Sequence, residues 1–458
     1  MHVLFSPTAI QALFKTRGPA RDGFNLQIAE RGLGVDTLEA KKFFGFGESS
    51  SESGIPNVQL LEKWNHNYLL ERRSVDELTM KFVEVLKAQL ASDSKSMEGN
   101  SKEKTVNLCD WVQDKMFTAS TTALMGSRLL EIYPELRKDF FDFDRHMLTL
   151  FFRVPKFLSP VAYNVRARAL TGMTKWQKQV QEECSGEIPD PDGDIDWEPL
   201  WGSRANRAKQ RYYKMLGLRC SSRAGMDLGF MFGLSSNAIP AAGWMLLHVL
   251  DPQGDKTLLP RLMSELKTVS RDDGSLDIQA LVGLPLLASV FHEVLRLYVD
   301  VLVTRELKEE LTLPLDHGQQ RVFLEKNSVV VAPSWLGHRD EMLWTEPPCN
   351  QFYADRFLQK DTESGKIIFS TVGTSGKFFP FGGGKTICPG RVFAKQEVLG
   401  SVATILLSFD IKSLGYIDEQ GRETTRFPRI RDGYLGSGVM ATDSDMKVAI
   451  SKRGESTG

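Results

Sequence analysis

The sequence predicts a mainly α-helical domain that carries small β-sheets, and three observations predict it. Apolar residues recur at helical spacing over long stretches, Leu60 to Leu90 and Pro285 to Tyr298 among them. Short runs rich in β-branched residues, such as Val299 to Leu307, stand between the helical ones. No Pro/Gly/Ser-rich linker separates compositionally distinct blocks, so residues 1–458 read as one large domain despite their length.

Composition narrows the function classes. The chain is 41% hydrophobic and 25% charged, which suits a large buried core and excludes disordered or fibrous classes. Lysine and arginine total 57 against 58 acids, so no global basic field points to nucleic acid, and small-molecule chemistry is the expectation. Five cysteines, at 109, 184, 220, 349 and 388, are far apart without a C-x-x-C pair. That argues against a disulfide scaffold and a zinc site. No run of about 18 apolar residues and no charged leader with a cleavage site is present.

Taken in order, His2 to Phe5 followed by Pro7 to Leu13 reads as a strand leading into a helix. Glu48 to Gly54 reads as a solvated loop, and Leu60 to Leu90 as helix through Trp64, Tyr68, Leu69, Leu78, Phe82, Val85 and Leu86. Ala91 to Lys104 is polar and reads as a loop, and Val106 to Arg145 returns to helix. Leu148 to Tyr163 is greasy but broken by Pro155 and Pro160, so it is not one helix: it is either core or a lid that dips into a membrane surface. Cys184 to Trp201 is an acidic loop whose DPDGDIDWE misses the glycine and terminal acid of a calcium loop. The basic stretch from Ala205 to Arg219 reads as a solvated helix face.

Ser221 to Leu250 spans roughly thirty residues, on the order of 45 Å as helix, and would cross the molecule. Pro240 cannot donate an N–H, so the helix is expected to open or kink near Ser236. In Pro285 to Tyr298, Glu293 and Arg296 are three apart and share a face. His338 has no nearby His or Cys and reads as structural. Tyr434 to Met440 reads as a glycine-containing hairpin, and only strands and loops follow Leu407.

The richest stretch is Phe379 to Lys395, FPFGGGKTICPGRVFAK, a glycine loop feeding a helix N-terminus. Cys388 there faces unpaired backbone N–H groups and a positive helix end, an arrangement that favours thiolate and suits a ligand or nucleophile. A buried structural cysteine is the plain alternative. A phosphate loop is excluded because the required first glycine falls at Phe379. Phe381, Gly384, Cys388 and Gly390 instead fit F-x-x-G-x-x-x-C-x-G. This resembles the cysteine-ligand loop of the cytochrome P450 family.

The order of motifs supports that resemblance from the first residues to Lys452: Glu293 and Arg296, then Arg356 in FYADRF about sixty residues later, then the cysteine loop. It implies the cytochrome P450 fold, lacking the usual N-terminal membrane anchor and first elements, and a haem (iron protoporphyrin IX) ligated by Cys388. Cofactor contacts are implied for Arg305, Phe381, Gly382, Lys385, Thr386, Gly390 and Trp64, and structural support for Glu293, Arg296 and Arg356. Thr386 stands where relatives usually carry a basic residue, and Trp64 to Tyr68 replaces the usual Trp-x-x-x-Arg.

In the oxygen-side helix, Gly233 to Ala238 (GLSSNA) carries Ser236 and Asn237 in place of the family's acid and threonine. With ordered water these two would manage proton delivery. Asn followed by Pro-Ala resembles the sterol 7α-hydroxylases and prostacyclin synthase, a branch holding both hydroxylases and a redox-neutral isomerase. Leu234, Val301, Leu302 and Ser437 would face a large lipophilic substrate, a sterol, terpenoid or similar compound. The resemblance implies a monooxygenase fed by an NADPH-cytochrome P450 reductase docking near Lys385, Arg391 and Lys395. The full-length protein would sit on the cytoplasmic face of the endoplasmic reticulum membrane. A redox-neutral isomerase and a non-catalytic haem-binding protein are the alternatives.

Overall fold

The computed structural model describes residues 1–16, 21–46, 57–97, 102–271, 274–315, 318–433 and 436–454. The loop read at Glu48 to Gly54 and the first residues of the hairpin at Tyr434 lie outside them.

The long helix, Cys220–Val249, is the axis of the fold, and helices Leu108–Met125, Pro160–Glu183, Pro285–Tyr298 and Arg391–Ser408 pack against it. Its residues are largely apolar, and most are buried, which is what a central helix requires. Among the described residues it alone has the length and apolarity to cross a membrane, and here it is core. The long helix runs on through Pro240 to Val249 as one element. Asn237 lies across this turn, donating from Nδ2 to the Gly233 carbonyl at 3.2 Å.

The long helix is joined to Pro285–Tyr298 by a stack of rings. Trp244 lies flat on Tyr298, centroids 3.7 Å apart and planes 4° apart, while His248 stacks on Phe352 at 3.8 Å and 6°. The polar edges are satisfied, since Trp244 Nε1 donates to the Met440 carbonyl at 2.7 Å and His248 Nε2 lies 2.7 Å from the Tyr298 hydroxyl.

Two four-stranded sheets flank the helices. In one, His2–Val3 pairs parallel with Val329–Pro333, which pairs antiparallel with Val299–Glu306, and that strand pairs with Ser437–Val439. The other joins Glu423–Thr424, Phe409–Ile417, Asp445–Lys452 and Lys104–Asn107. The strand-then-helix reading of the first residues holds, with helix Pro7–Lys15 capped by Ser6.

Several boundaries differ from the periodicity. The segment 60–90 is two helices, Asn57–Leu69 and Arg72–Ser96; the Glu71 carboxylate starts the second by accepting from Ser74 N at 3.0 Å, a cap made by a residue type that seldom caps. Consequently Ala91 to Ser96 is helix, and Lys104 begins a strand. The segment 106–145 is three helices, punctuated at Gly126, whose φ of +94° lets it lie against Pro199, and near Pro134. The break predicted within Leu148 to Tyr163 is present, between helices Leu136–Phe151 and Pro160–Glu183.

The basic helix Arg204–Met215 is not a solvated face. Arg207 is fully buried and donates to the carbonyls of Asp190, Ile195 and Asp196, so the acidic loop folds its backbone around a guanidinium. Tyr212 and Tyr213 bury on the same helix.

Candidate active site

The cysteine loop is held from beneath. Gly383 and Gly384 lie directly on Phe14 of helix Pro7–Lys15; a Cβ at Gly383 would stand 2.3 Å from the Phe14 ring, so no side chain fits there. Gly384–Thr386 forms one 3-10 turn, and Cys388 N donates to the Phe381 carbonyl at 3.0 Å, closing the loop around the cysteine. Helix Arg391–Ser408 then begins directly after Gly390, so Cys388 sits at its N-terminus as expected.

The sign of its acidity is not as expected. Burial pushes the Cys388 thiol up, outweighing the pull of the Gly390 and Arg391 N–H groups and of the Arg391 and Arg21 charges. The helix end alone does not make a thiolate here; a bound cation would.

Glu293, Arg296 and Arg356 form the buried cluster that the spacing predicts. Arg296 donates to Glu293 Oε2 at 2.7 Å and Oε1 at 2.8 Å, and Arg356 Nε donates to both oxygens at 3.0 Å. The remaining guanidinium protons reach the carbonyls of His338, Cys349, Pro347, Pro348 and Gln351. A buried ion cluster is tolerable only when paired this fully. His338 then passes the order on: its carbonyl accepts from Arg296, while its Nε2 accepts from Phe379 N at 3.0 Å, where the cysteine loop begins. The structural reading of His338 is the one the geometry supports.

Arg305, on strand Val299–Glu306, is buried and donates to the Gly383 carbonyl at 2.7 Å. Gly382 lies near Val303 of the same strand. Arg21 is the residue that sequence reading missed: its charge acts on both Cys388 and Arg305, and its Nε is buried without a hydrogen-bond partner. Among the described residues neither arginine has a carboxylate partner. No motif surrounds Arg21, so only its three-dimensional company marks it.

Trp64 does not join this group. Helix Asn57–Leu69 meets the loop through Glu62, 3.4 Å from Lys385 Nζ. Trp64, two residues on and so on nearly the opposite face, packs edge-on against Tyr212 at 4.8 Å instead. Of the three cations expected to dock a reductase, Lys385 is exposed, Lys395 is half-buried near the Phe369 ring, and Arg391 donates to the Cys388 carbonyl at 3.0 Å. Thr386 and Phe381 stay within the loop, half-buried.

On the long helix, Ser236 Oγ donates to Asp144 Oδ1 at 2.7 Å, a carboxylate contributed by helix Leu136–Phe151. Asn237 is occupied at both ends: Nδ2 donates to Gly233, and Oδ1 accepts from Val439 N at 2.9 Å. Through that bond it ties the long helix to strand Ser437–Val439, whose Ser437 stands opposite Val301. Val301 pairs with the Ser437 backbone and packs on the core, Leu302 as the next strand residue points to the other face and is exposed, and Leu234 packs against the core on the long helix.

A profile of the cytochrome P450 family matches residues 228–425, which span the long helix, the Glu-Arg-Arg cluster and the cysteine loop. Cytochrome P450 monooxygenase calL of Penicillium decumbens is 31% identical over 443 residues, covering 93% of this chain and 80% of calL. The chain belongs to the cytochrome P450 family. Cytochrome P450 monooxygenase fsoE of Humicola fuscoatra is 32% identical over 392 residues, 79% of this chain and 65% of fsoE, so the match spans a little under two thirds of that relative. The sterol branch is also represented: cytochrome P450 7A1 of Rattus norvegicus is 28% identical over 234 residues, 49% of this chain and 44% of that protein.

Cytochromes P450 bind haem, iron protoporphyrin IX. The residues present fit it. Cys388 offers the sulfur at a helix N-terminus, and the half-buried Arg21 and the buried Arg305, without carboxylate partners among the described residues, have the charge that two propionates would balance. Haem here would be held by Cys388, Arg21 and Arg305 over a loop that Phe14 and the buried cluster keep rigid.

Proposed function

We propose that this cytochrome P450 is a haem-thiolate monooxygenase that oxidises a large lipophilic small molecule, a sterol, terpenoid or similar secondary metabolite. It uses O2 and electrons from an NADPH-dependent reductase. The observation that carries this reading is the cysteine loop: Cys388 at the start of a helix, closed by its own bond to Phe381 and backed by the Glu293 cluster. Bound haem supplies the oxygen chemistry.

The chain's own residues exclude water, position substrate and hold protons. Val301, Leu234 and the Ser437 strand give an apolar wall. Ser236 is the proton-holding group: its hydroxyl rests on the Asp144 carboxylate, which can accept that proton and return it. Asn237 is a positioning residue, since both ends of its amide are engaged. The exposed Phe152, Phe157, Leu158 and Val161 between two helices support the reading of a membrane-facing entrance, and with it an endoplasmic reticulum location on the cytoplasmic face.

The test is optical and then chemical. Haem-loaded protein, reduced and exposed to carbon monoxide, should give the red-shifted Soret band of a thiolate ligand, and Cys388→Ala should lose it. An unchanged band in Cys388→Ala removes the ligand assignment. A redox-neutral isomerase is the second reading, favoured by the fully engaged Asn237 where the family carries a threonine. Turnover of a peroxide analogue without reductase, with no sterol or terpenoid oxidised when reductase is supplied, would select it.

A further inference from the structure

A line of oxidisable rings runs from the oxygen-side turn of the long helix toward its C-terminal end. Trp244 stands seven residues beyond Asn237, so it lies on the same face about 10 Å further along the axis. Two consecutive residues join them: Asn237 Oδ1 accepts from Val439 N at 2.9 Å, and Trp244 Nε1 donates to the Met440 carbonyl at 2.7 Å. Trp244 is fully buried against the Tyr298 ring, with planes 4° apart. Rings usually pair offset or edge-on, and this direct overlap lets an electron vacancy spread over both.

Each tyrosine in the line has a proton acceptor on its hydroxyl. Tyr298 meets His248 Nε2 at 2.7 Å, and the rings around His248 draw its pKa down to about 3, so the imidazole is neutral and able to accept. Tyr416, buried on strand Phe409–Ile417, donates to Asp251 Oδ1 just past the end of the long helix. Phe427 bridges the two, its ring centroid 4.8 Å from that of His248 and 5.8 Å from that of Tyr416. A phenol that loses an electron becomes a strong acid. A bonded base therefore permits its oxidation in a core where an unpaired cation would be costly.

We infer that Trp244, Tyr298 and Tyr416 form a one-electron conduit that resets the haem site when a peroxide is consumed there without substrate. The inference rests on the haem-thiolate reading. A hydroperoxide, ROOH, cleaved at its O–O bond leaves as ROH and deposits one oxygen atom; two electrons and two solvent protons turn that atom into water. Tyr298 supplies each electron by way of Trp244, and its phenolic proton passes to His248 Nε2, leaving a neutral phenoxyl. An electron from Tyr416, whose proton passes to Asp251, restores Tyr298 as His248 returns its proton. Ascorbate, a one-electron donor in solution, restores Tyr416 as Asp251 returns its proton, and two ascorbates close the cycle for each ROOH. Without the conduit, the same oxidising equivalents fall on the porphyrin and Cys388.

Haem-loaded protein is mixed with peracetic acid without substrate, frozen within milliseconds and examined by electron paramagnetic resonance, with its carbon monoxide band recorded in parallel. A tyrosyl radical is expected, its lines narrowed by ring-deuterated tyrosine. Tyr298→Phe should lose it and bleach its Soret band several-fold faster in excess peracid, and Trp244→Phe should lower its yield several-fold. Tyr133→Phe, which removes a hydroxyl bonded to Asp139 outside this line, should leave it unchanged. Should Tyr298→Phe fail to fold, Tyr416→Phe decides: the radical on Tyr298 should then persist several-fold longer in ascorbate, and decay as in wild type overturns the conduit. A radical of wild-type yield in Tyr298→Phe, or none in wild type that shows the red-shifted carbon monoxide band, also overturns it. Absence of that band from wild type overturns the haem-thiolate reading, and the conduit with it.

Discussion

Glu397 shows how far a single residue can bend this protein's response to pH. It is wholly buried in helix Arg391–Ser408, one oxygen accepts from Ser120, and the other has no hydrogen-bond partner. Burial raises its carboxyl to about 8, so the folded chain keeps a proton that the unfolded chain gives up near the usual carboxylate range. The resulting stabilisation is complete below the unfolded value and is lost as pH rises through about 8. Glu397→Gln should flatten that fall, adding on the order of 2 kcal/mol at pH 8.5 relative to wild type, and thermal unfolding across pH 6 to 9 measures it. At the same scale, Asp144→Asn keeps the partner of Ser236 but removes its basicity. Product formation per electron consumed should drop about tenfold or more, while substrate-induced Soret shifts stay as in wild type.

Among the elements, the Glu-Arg helix and the cysteine loop behave as one unit because Arg296, His338 and Phe379 are bonded in sequence. Arg356→Ala leaves Glu293 with fewer donors and several carbonyls bare. It should cost about 3 to 5 kcal/mol and release haem on gel filtration, and retention of haem at wild-type stability would sink the coupling. This unit was legible in the sequence because each part has a fixed spacing: E-x-x-R on one helical face, and F-x-x-G-x-x-x-C-x-G in the loop. Helix ends were less legible. Glu71 caps a helix although Ser, Thr, Asp and Asn usually do, and periodicity runs smoothly across Leu69 to Arg72 while the chain does not. Trp64 was misplaced for a related reason, since a motif position says nothing about which face of a short helix turns inward. Arg21 and Asp144 reach their sites across long sequence separations and leave no local trace.

For the whole molecule, four exposed apolar residues, Phe152, Phe157, Leu158 and Val161, follow one another closely where helix Leu136–Phe151 gives way to helix Pro160–Glu183. Replacing Phe157 and Leu158 by Gln should reduce partition into phosphatidylcholine vesicles by about tenfold, with secondary structure unchanged, and unaltered flotation would remove this face as the contact. The overall helical layout was readable because long amphipathic stretches dominate it, whereas the two sheets draw strands from both ends of the chain and could not be paired from sequence. The flat Trp244 and Tyr298 stack spans the two helices that those sheets flank. Rings so close and so nearly parallel share their ultraviolet transitions, and the asymmetry of the pair gives a circular dichroism signal in the near ultraviolet. That signal would report the sliding of one helix along the other, and would fade on gentle denaturation while the helices themselves were still wound.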